Sequence, residues 1–102
     1  MGWVKDAIKE LNEKGICKIQ PFGGSMRGKI ESGDLVTLQR YNDENLETDD
    51  AVFVKWKGNY LLHLVKDRTE NDVLIGNNLG KINGWISKKD VIGIVIAIEK
   101  AN

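Results

Sequence analysis

The clearest β signal in the chain is the segment AVFVKWKGNYLLHLV, residues 51–65. Its two apolar runs, 51–56 and 60–65, are rich in branched and aromatic side chains and predict two strands. The polar triplet Lys57-Gly58-Asn59 between them predicts a tight turn, so the strands should pair as an antiparallel hairpin. The hairpin therefore indicates a fold built on antiparallel sheet.

Shorter segments on both sides of this hairpin also alternate or are apolar throughout. They predict strands at residues 16–19, 34–41, 73–75 and 91–98. The last of these is apolar at nearly every position, which predicts a strand buried on both faces. Exposed apolar strands also pair readily, so this strand is a candidate edge for a homodimer. The polar segments 42–50 and 67–72 and the Gly- and Asn-rich segment 76–84 predict connections.

The N-terminal segment has a different period. Apolar residues recur at three- and four-residue spacing, which predicts an amphipathic helix over residues 3–14. Its apolar face comprises Trp3, Val4, Ala7, Ile8 and Leu11. Gly15 is placed to end the helix, since glycine accepts the left-handed conformation there. The prediction is a mainly β domain with one N-terminal amphipathic helix.

Length and charge limit the function. A chain of 102 residues is the size of one domain, predicted to span 1–102. Its 15 Lys and Arg balance 15 Asp and Glu, so it lacks the positive excess that nucleic acid or an anionic membrane attracts. Neither a secretory segment nor an apolar membrane span is visible, and the single cysteine, Cys17, cannot form an internal disulfide. These features predict a soluble protein of the cytoplasm.

The candidate chemistry lies in Gly23-Gly24-Ser25-Met26. A serine that follows two glycines and enters a turn is well placed to be a nucleophile, because glycines allow close approach and leave N–H groups for an oxyanion. The serine needs a base, and the only histidine, His63, lies in an apolar strand. One cysteine and one histidine make no ligand cluster, so neither metal nor cofactor is expected.

From Pro21 onward, over residues 21–102, the order of short motifs resembles the superfamily of LexA-type repressors and type I signal peptidases. The motifs are Gly24-Ser25-Met26, Gly33-Asp34-Leu35-Val36, Asp50-Ala51-Val52-Phe53-Val54, Leu61-Leu62-His63-Leu64-Val65, Ile75-Gly76-Asn77-Asn78 and Val91-Ile92-Gly93-Ile94-Val95.

The resemblance implies a β-clip fold and a catalytic dyad, with Ser25 as nucleophile and His63 as general base. It implies an oxyanion hole from the Gly23, Gly24 and Ser25 turn. The supporting positions of the motif are Met26, Gly33 and Asp34.

Two positions depart from the family pattern. Asn77 stands where the Ser/His branch carries the aspartate that orients the histidine, so Asn77 is the candidate orienting residue. Gly28 stands where the family usually has proline, a change that loosens the turn after the nucleophile.

Two functions follow as expectations. The first is a serine peptidase-like hydrolase that acts on a peptide substrate through Ser25 and His63. The alternative is a catalytically inactive β-clip module that binds a peptide or protein partner, with Asn78, Asn83 and Trp85 shaping a recognition loop. With neither a membrane anchor nor a DNA-binding domain in the sequence, a membrane signal peptidase and a self-cleaving repressor are not expected. Nucleic-acid binding is the least favoured class.

Overall fold

The computed structural model describes residues 2–101, with side-chain surroundings from Val4 onward. The elements are α1 (Gly2–Lys14), β1 (Ile16–Ile19), β2 (Leu35–Arg40), β3 (Ala51–Trp56), β4 (Asn59–Arg68), β5 (Asp72–Gly76), β6 (Ile82–Ser87), a short 3-10 helix (Lys88–Asp90) and β7 (Val91–Glu99). The strands form one antiparallel sheet in the order β1-β2-β7-β3-β4-β5-β6. The predicted mainly β fold with a single N-terminal helix is confirmed.

Helix α1 packs its predicted apolar face on the sheet. Val4, Ala7 and Leu11 are buried, whereas the side chain of Trp3, assigned to the same face, lies outside the described residues. Gly15 ends the helix at a φ of +78°, and its N–H donates to the Leu11 carbonyl at 2.8 Å. The glycine stop is therefore confirmed.

The β3–β4 hairpin also forms as predicted. Lys57 and Gly58 both have positive φ, 48° and 81°, which matches the right-handed twist of the paired strands. Asn59, assigned to the turn from the sequence, already pairs with Trp56 as the first residue of β4.

Strand β3 separates two apolar cores, which explains its unbroken apolar run. Ala51 and Phe53 pack into the core under α1, while Val52 and Val54 pack into a second core with residues of β4, β5 and β6. Because both faces of β3 are covered, neither face needs polar side chains.

The prediction that the last strand is buried on both faces is wrong for its second half. Val91 and Gly93 are buried, but Ile96 is 50% exposed. Beyond Ile94, β3 no longer pairs with β7, and β2 is the strand that adjoins it there. The register with β2 skips Ile96 between Val95 and Ala97, so Ile96 lies at a bulge. That free edge is where the predicted homodimer contact would have to form.

Strand β6 was not predicted. Its first residues, Ile82, Asn83 and Gly84, fall in the Gly- and Asn-rich segment assigned to a connection. The strand forms because it pairs with β5 at each residue except Asn83, where the register shifts. This pairing leaves no signal in the local sequence. Within residues 2–101, no helix is long and apolar enough to cross a membrane.

Candidate active site

Ser25 and His63 line the same cavity, of about 190 Å³. Its described walls come from residues 21–23, 25 and 26 before and around the serine and from residues 60–63 of β4. The two residues singled out from the sequence are thus brought to one place, although they are far apart in the chain. We call this space the Ser25 cavity.

The serine sits on a tight turn with apolar anchors. The Gly24 carbonyl accepts the Arg27 N–H at 3.2 Å, and the Met26 carbonyl accepts the Ile30 N–H at 2.8 Å. Met26 and Ile30 are buried in the core under α1. Ser25, directly before Met26, is exposed to solvent. The turn therefore presents the hydroxyl at the cavity surface.

The backbone around Ser25 carries unused donors. Within residues 2–101, the N–H groups of Gly24, Ser25 and Met26 have no hydrogen-bond partner. Gly23 differs, since its N–H donates to Ser32 Oγ at 3.1 Å. Of the three N–H groups predicted for an oxyanion hole, those of Gly24 and Ser25 are thus unengaged, whereas that of Gly23 is already bonded to Ser32.

His63 is held as a neutral ring. It is 7% exposed, and its Nδ1 lies 2.9 Å from Oδ1 of Asn83. An amide oxygen only accepts, so Nδ1 carries the hydrogen, and in the neutral ring the lone pair then lies on Nε2. Burial lowers the pKa of His63, the Asn83 hydrogen bond opposes this, and the charges of Lys81 and Lys66 lower it further. The ring thus has the protonation state of a general base.

The asparagine that is hydrogen-bonded to the His63 ring is Asn83 and not Asn77, the residue predicted for this position. Asn77 Oδ1 accepts the N–H groups of Leu79 at 2.8 Å and Lys81 at 2.9 Å, so this side chain closes its own loop. Asn83 was assigned only to a recognition loop because β6, which carries it toward β4, was not predicted.

Asn78 fastens the serine turn to the β5–β6 connection. Its N–H donates to the Ser25 carbonyl at 3.0 Å, and its Nδ2 donates to the Arg27 carbonyl at 2.7 Å. Gly28 makes room for it, because a Cβ there would lie 2.9 Å from Asn78 Nδ2. Gly28 has a φ of +96°, which a proline ring cannot adopt. The glycine at position 28 is thus matched to Asn78.

Asp34 has a supporting role. Its carboxylate is 1% exposed and accepts the N–H groups of Glu31 at 2.8 Å and Ala101 at 2.9 Å and the Lys100 ammonium at 3.0 Å. The Glu31 N–H is the largest cause of its lowered pKa, and burial opposes the shift. Gly33 beside it donates its N–H to the Pro21 carbonyl at 2.9 Å. Both residues fix the loop that precedes β2.

Trp85 lies on β6, opposite Leu74 in the register, and is 48% exposed. The walls of the Ser25 cavity come from other residues. Of the three residues assigned to a recognition loop, Asn78 and Asn83 instead contact the serine turn and the histidine.

The outer edge of β4 is open beside the Ser25 cavity. Strand β5 pairs with β4 only from Leu64 onward, whereas β3 covers the other edge from Asn59 to Leu64. Residues 59–63 therefore have strand neighbours on one side only in the described sheet. An extended peptide can pair with such an edge and lie across the cavity.

A scan against protein-family models finds no matching family for this chain, and a search among curated proteins finds no matching relative.

Proposed function

We propose that this protein is a serine hydrolase that cleaves peptide bonds, with Ser25 as nucleophile and His63 as general base. The observation that carries the proposal is that both side chains line one cavity while Asn83 Oδ1 holds the ring in the tautomer with a free Nε2. The resemblance to LexA-type repressors and type I signal peptidases, and with it the β-clip fold, supports the same roles.

The reaction would proceed in two stages. Ser25 Oγ attacks the carbonyl carbon while its proton passes to His63 Nε2, and the oxyanion is stabilised by the N–H groups of Ser25 and its neighbours. The C–N bond then breaks, and the proton moves from Nε2 to the leaving amine. Water, activated by the same ring, hydrolyses the acyl-enzyme and restores Ser25.

A peptide is the substrate favoured by the shape of the site. The open edge of residues 59–63 offers main-chain hydrogen bonds to an extended chain, and the Ser25 cavity beside it is lined by Phe22, Met26 and Leu62, among others. Main-chain pairing binds any extended peptide, whereas the cavity selects its side chains.

The cytoplasm remains the proposed location, on the grounds of a single cysteine. Cys17 is buried, and burial together with the charge of Glu10 raises the pKa of its thiol. Such a thiol is unreactive and fits a packing role.

The test is covalent labelling of the full chain with a fluorophosphonate probe. We expect Ser25 to be modified and labelling to be lost in Ser25→Ala and in His63→Ala. Ser87→Ala is the matched control, since Ser87 caps the short 3-10 helix away from the cavity. The proposal fails if the native protein is not labelled between about pH 6 and 9, a range around the histidine pKa.

One observation favours the alternative, a module that binds a peptide without cleaving it. Among the described residues, the hydrogen bond of the His63 ring goes to Asn83 and none joins it to Ser25. Under this alternative the probe leaves Ser25 unmodified, and peptide binding is the same in the wild type and Ser25→Ala.

A further inference from the structure

A second cleft, of about 380 Å³, lies between the first turns of α1 and the β3–β4 turn. We call it the α1 cleft. The side chains of Val4, Ile8 and Tyr60 give it apolar walls, and Lys5, Gly58 and Asn59 form its exposed rim. None of the chemistry attributed to Ser25 and His63 uses it.

The α1 cleft and the Ser25 cavity share a lining residue. Tyr60 lines both spaces, and it lies on the open edge of β4 that leads from His63 back to Asn59. A peptide that pairs with this edge over the Ser25 cavity would therefore pass directly over the α1 cleft.

We propose that the α1 cleft binds a large apolar side chain of the substrate peptide, three or four residues from the bond that is cleaved. The proposal rests on the proposed function. Tyr60 and Asn59 precede His63 by three and four residues, or roughly 10–13 Å at the rise of a strand. A peptide paired with β4 has the same rise per residue as the strand. The peptide residue that reaches the cleft is therefore three or four residues from the cleaved bond.

The walls determine the chemistry of that side chain. A charged group in contact with Val4, Ile8 and Tyr60 would lose hydration without gaining a partner. Lys5, the charged residue among the described lining residues, is exposed at the rim. The volume lies in the range of small-molecule pockets, so leucine, methionine or phenylalanine fits better than alanine. The helix thereby acquires a role in specificity although it precedes the motifs around Ser25.

The experiment uses the full chain and a positional-scanning library of internally quenched decapeptides, with fluorophosphonate labelling as a second readout. We expect kcat/KM to favour a large apolar residue at one position, three or four from the cleaved bond, by about tenfold over glycine or aspartate. Lys5→Tyr, which narrows the exposed rim from the helix side and leaves the β4 edge unchanged, should abolish this preference and leave the labelling rate unchanged. Lys9→Tyr, the same change at an exposed position of α1 outside the cleft, is the control.

The outcomes separate the two proposals. Loss of the preference in Lys5→Tyr with normal labelling supports the subsite. A flat profile at that position, a preference that survives Lys5→Tyr, or labelling without cleavage of any peptide overturns the subsite and leaves the serine chemistry standing. Absence of labelling in the wild type overturns the proposed function and the subsite with it.

Discussion

Nδ1 of His63 lies 2.9 Å from Oδ1 of Asn83, so an uncharged amide holds the position from which a carboxylate orients the histidine in a Ser-His-Asp triad. The amide fixes the tautomer as a carboxylate does. It cannot stabilise the imidazolium by charge, which limits how far the pKa of the ring can rise during the reaction.

Replacing Asn83 by alanine should lower the rate of acylation. Without the Oδ1 acceptor, the ring can rotate and populate the tautomer with the hydrogen on Nε2, which cannot accept the Ser25 proton. We expect a loss of up to about a hundredfold in kcat, the scale of general-base catalysis, with little change in KM. The measurement is single-turnover acylation by an activated ester.

Asn83→Asp provides the opposite change. A carboxylate keeps the acceptor, stabilises the charged ring and raises the pKa of His63, so activity should be retained and its pH dependence displaced upward. Equal losses in Asn83→Ala and Asn83→Asp would contradict an orienting role for this residue.

The pH dependence of labelling should reflect the lowered pKa of His63. The reactive form is the neutral ring, and since burial lowers its pKa, that form persists below the ordinary histidine value of about 6.5. The rising limb of labelling rate against pH should therefore have its midpoint below this value. A midpoint at or above it would contradict the buried, neutral ring.

The same shift affects stability. The native protein binds fewer protons than the unfolded chain between the two histidine pKa values, so the His63 contribution is present above the unfolded value and is lost as pH falls toward the folded one. Thermal unfolding of wild type and His63→Gln over this range checks the sign, because the glutamine variant should lose less stability on acidification.

Much of the fold could be predicted because its signals are local. The apolar run 51–56, the Lys57-Gly58 turn and the spacing of Val4, Ala7 and Leu11 each specify an element without reference to the rest of the chain. Strand β6 could not be predicted in this way, since only its pairing with β5 makes Ile82–Ser87 a strand.

The same limit explains the errors at the site. Ser25 and His63 were found from residue type and motif, but the partner of His63 depends on which asparagine β6 carries to the ring. Asn77 and Asn83 are chemically identical, and only the loop closed by Asn77 Oδ1 distinguishes their roles. The hydrogen bond that the Asn78 side chain donates to the Arg27 carbonyl likewise joins two segments that are distant in sequence.

Asp34 should contribute to acid stability. Its folded pKa lies below the unfolded value of about 3.9, so its contribution is present above that value and is lost as pH falls through the folded pKa. Asp34→Asn keeps the shape but weakens the hydrogen bonds from Glu31, Lys100 and Ala101, and should lower the melting temperature most at neutral pH. Asp6→Asn, on the exposed face of α1, is the control. Equal melting temperatures for the two variants at pH 7 would contradict this role.

Gly28 and Gly80 form a matched pair for testing how the Asn78 side chain holds the serine turn. Both have a φ of +96°, but a Cβ at Gly28 would meet Asn78 Nδ2 at 2.9 Å, whereas nothing lies within 4 Å of one at Gly80. Alanine at either position carries the same backbone strain, about 1 kcal/mol. Only Gly28→Ala should also displace Asn78, so it should lower the rate of Ser25 labelling, and Gly80→Ala should not.

Removing the Asn78 side chain separates two effects of Gly28→Ala, the collision of the new Cβ with Asn78 and the backbone strain at positive φ. Asn78→Ala loses the hydrogen bond to the Arg27 carbonyl, which should cost about 1 kcal/mol of unfolding free energy and slow labelling. In the double variant Gly28→Ala/Asn78→Ala the alanine at position 28 has nothing to collide with, so its additional effect should shrink to that of Gly80→Ala. Denaturant unfolding and labelling rates measure both quantities. Strictly additive effects would contradict the contact, because residues that touch are expected to couple.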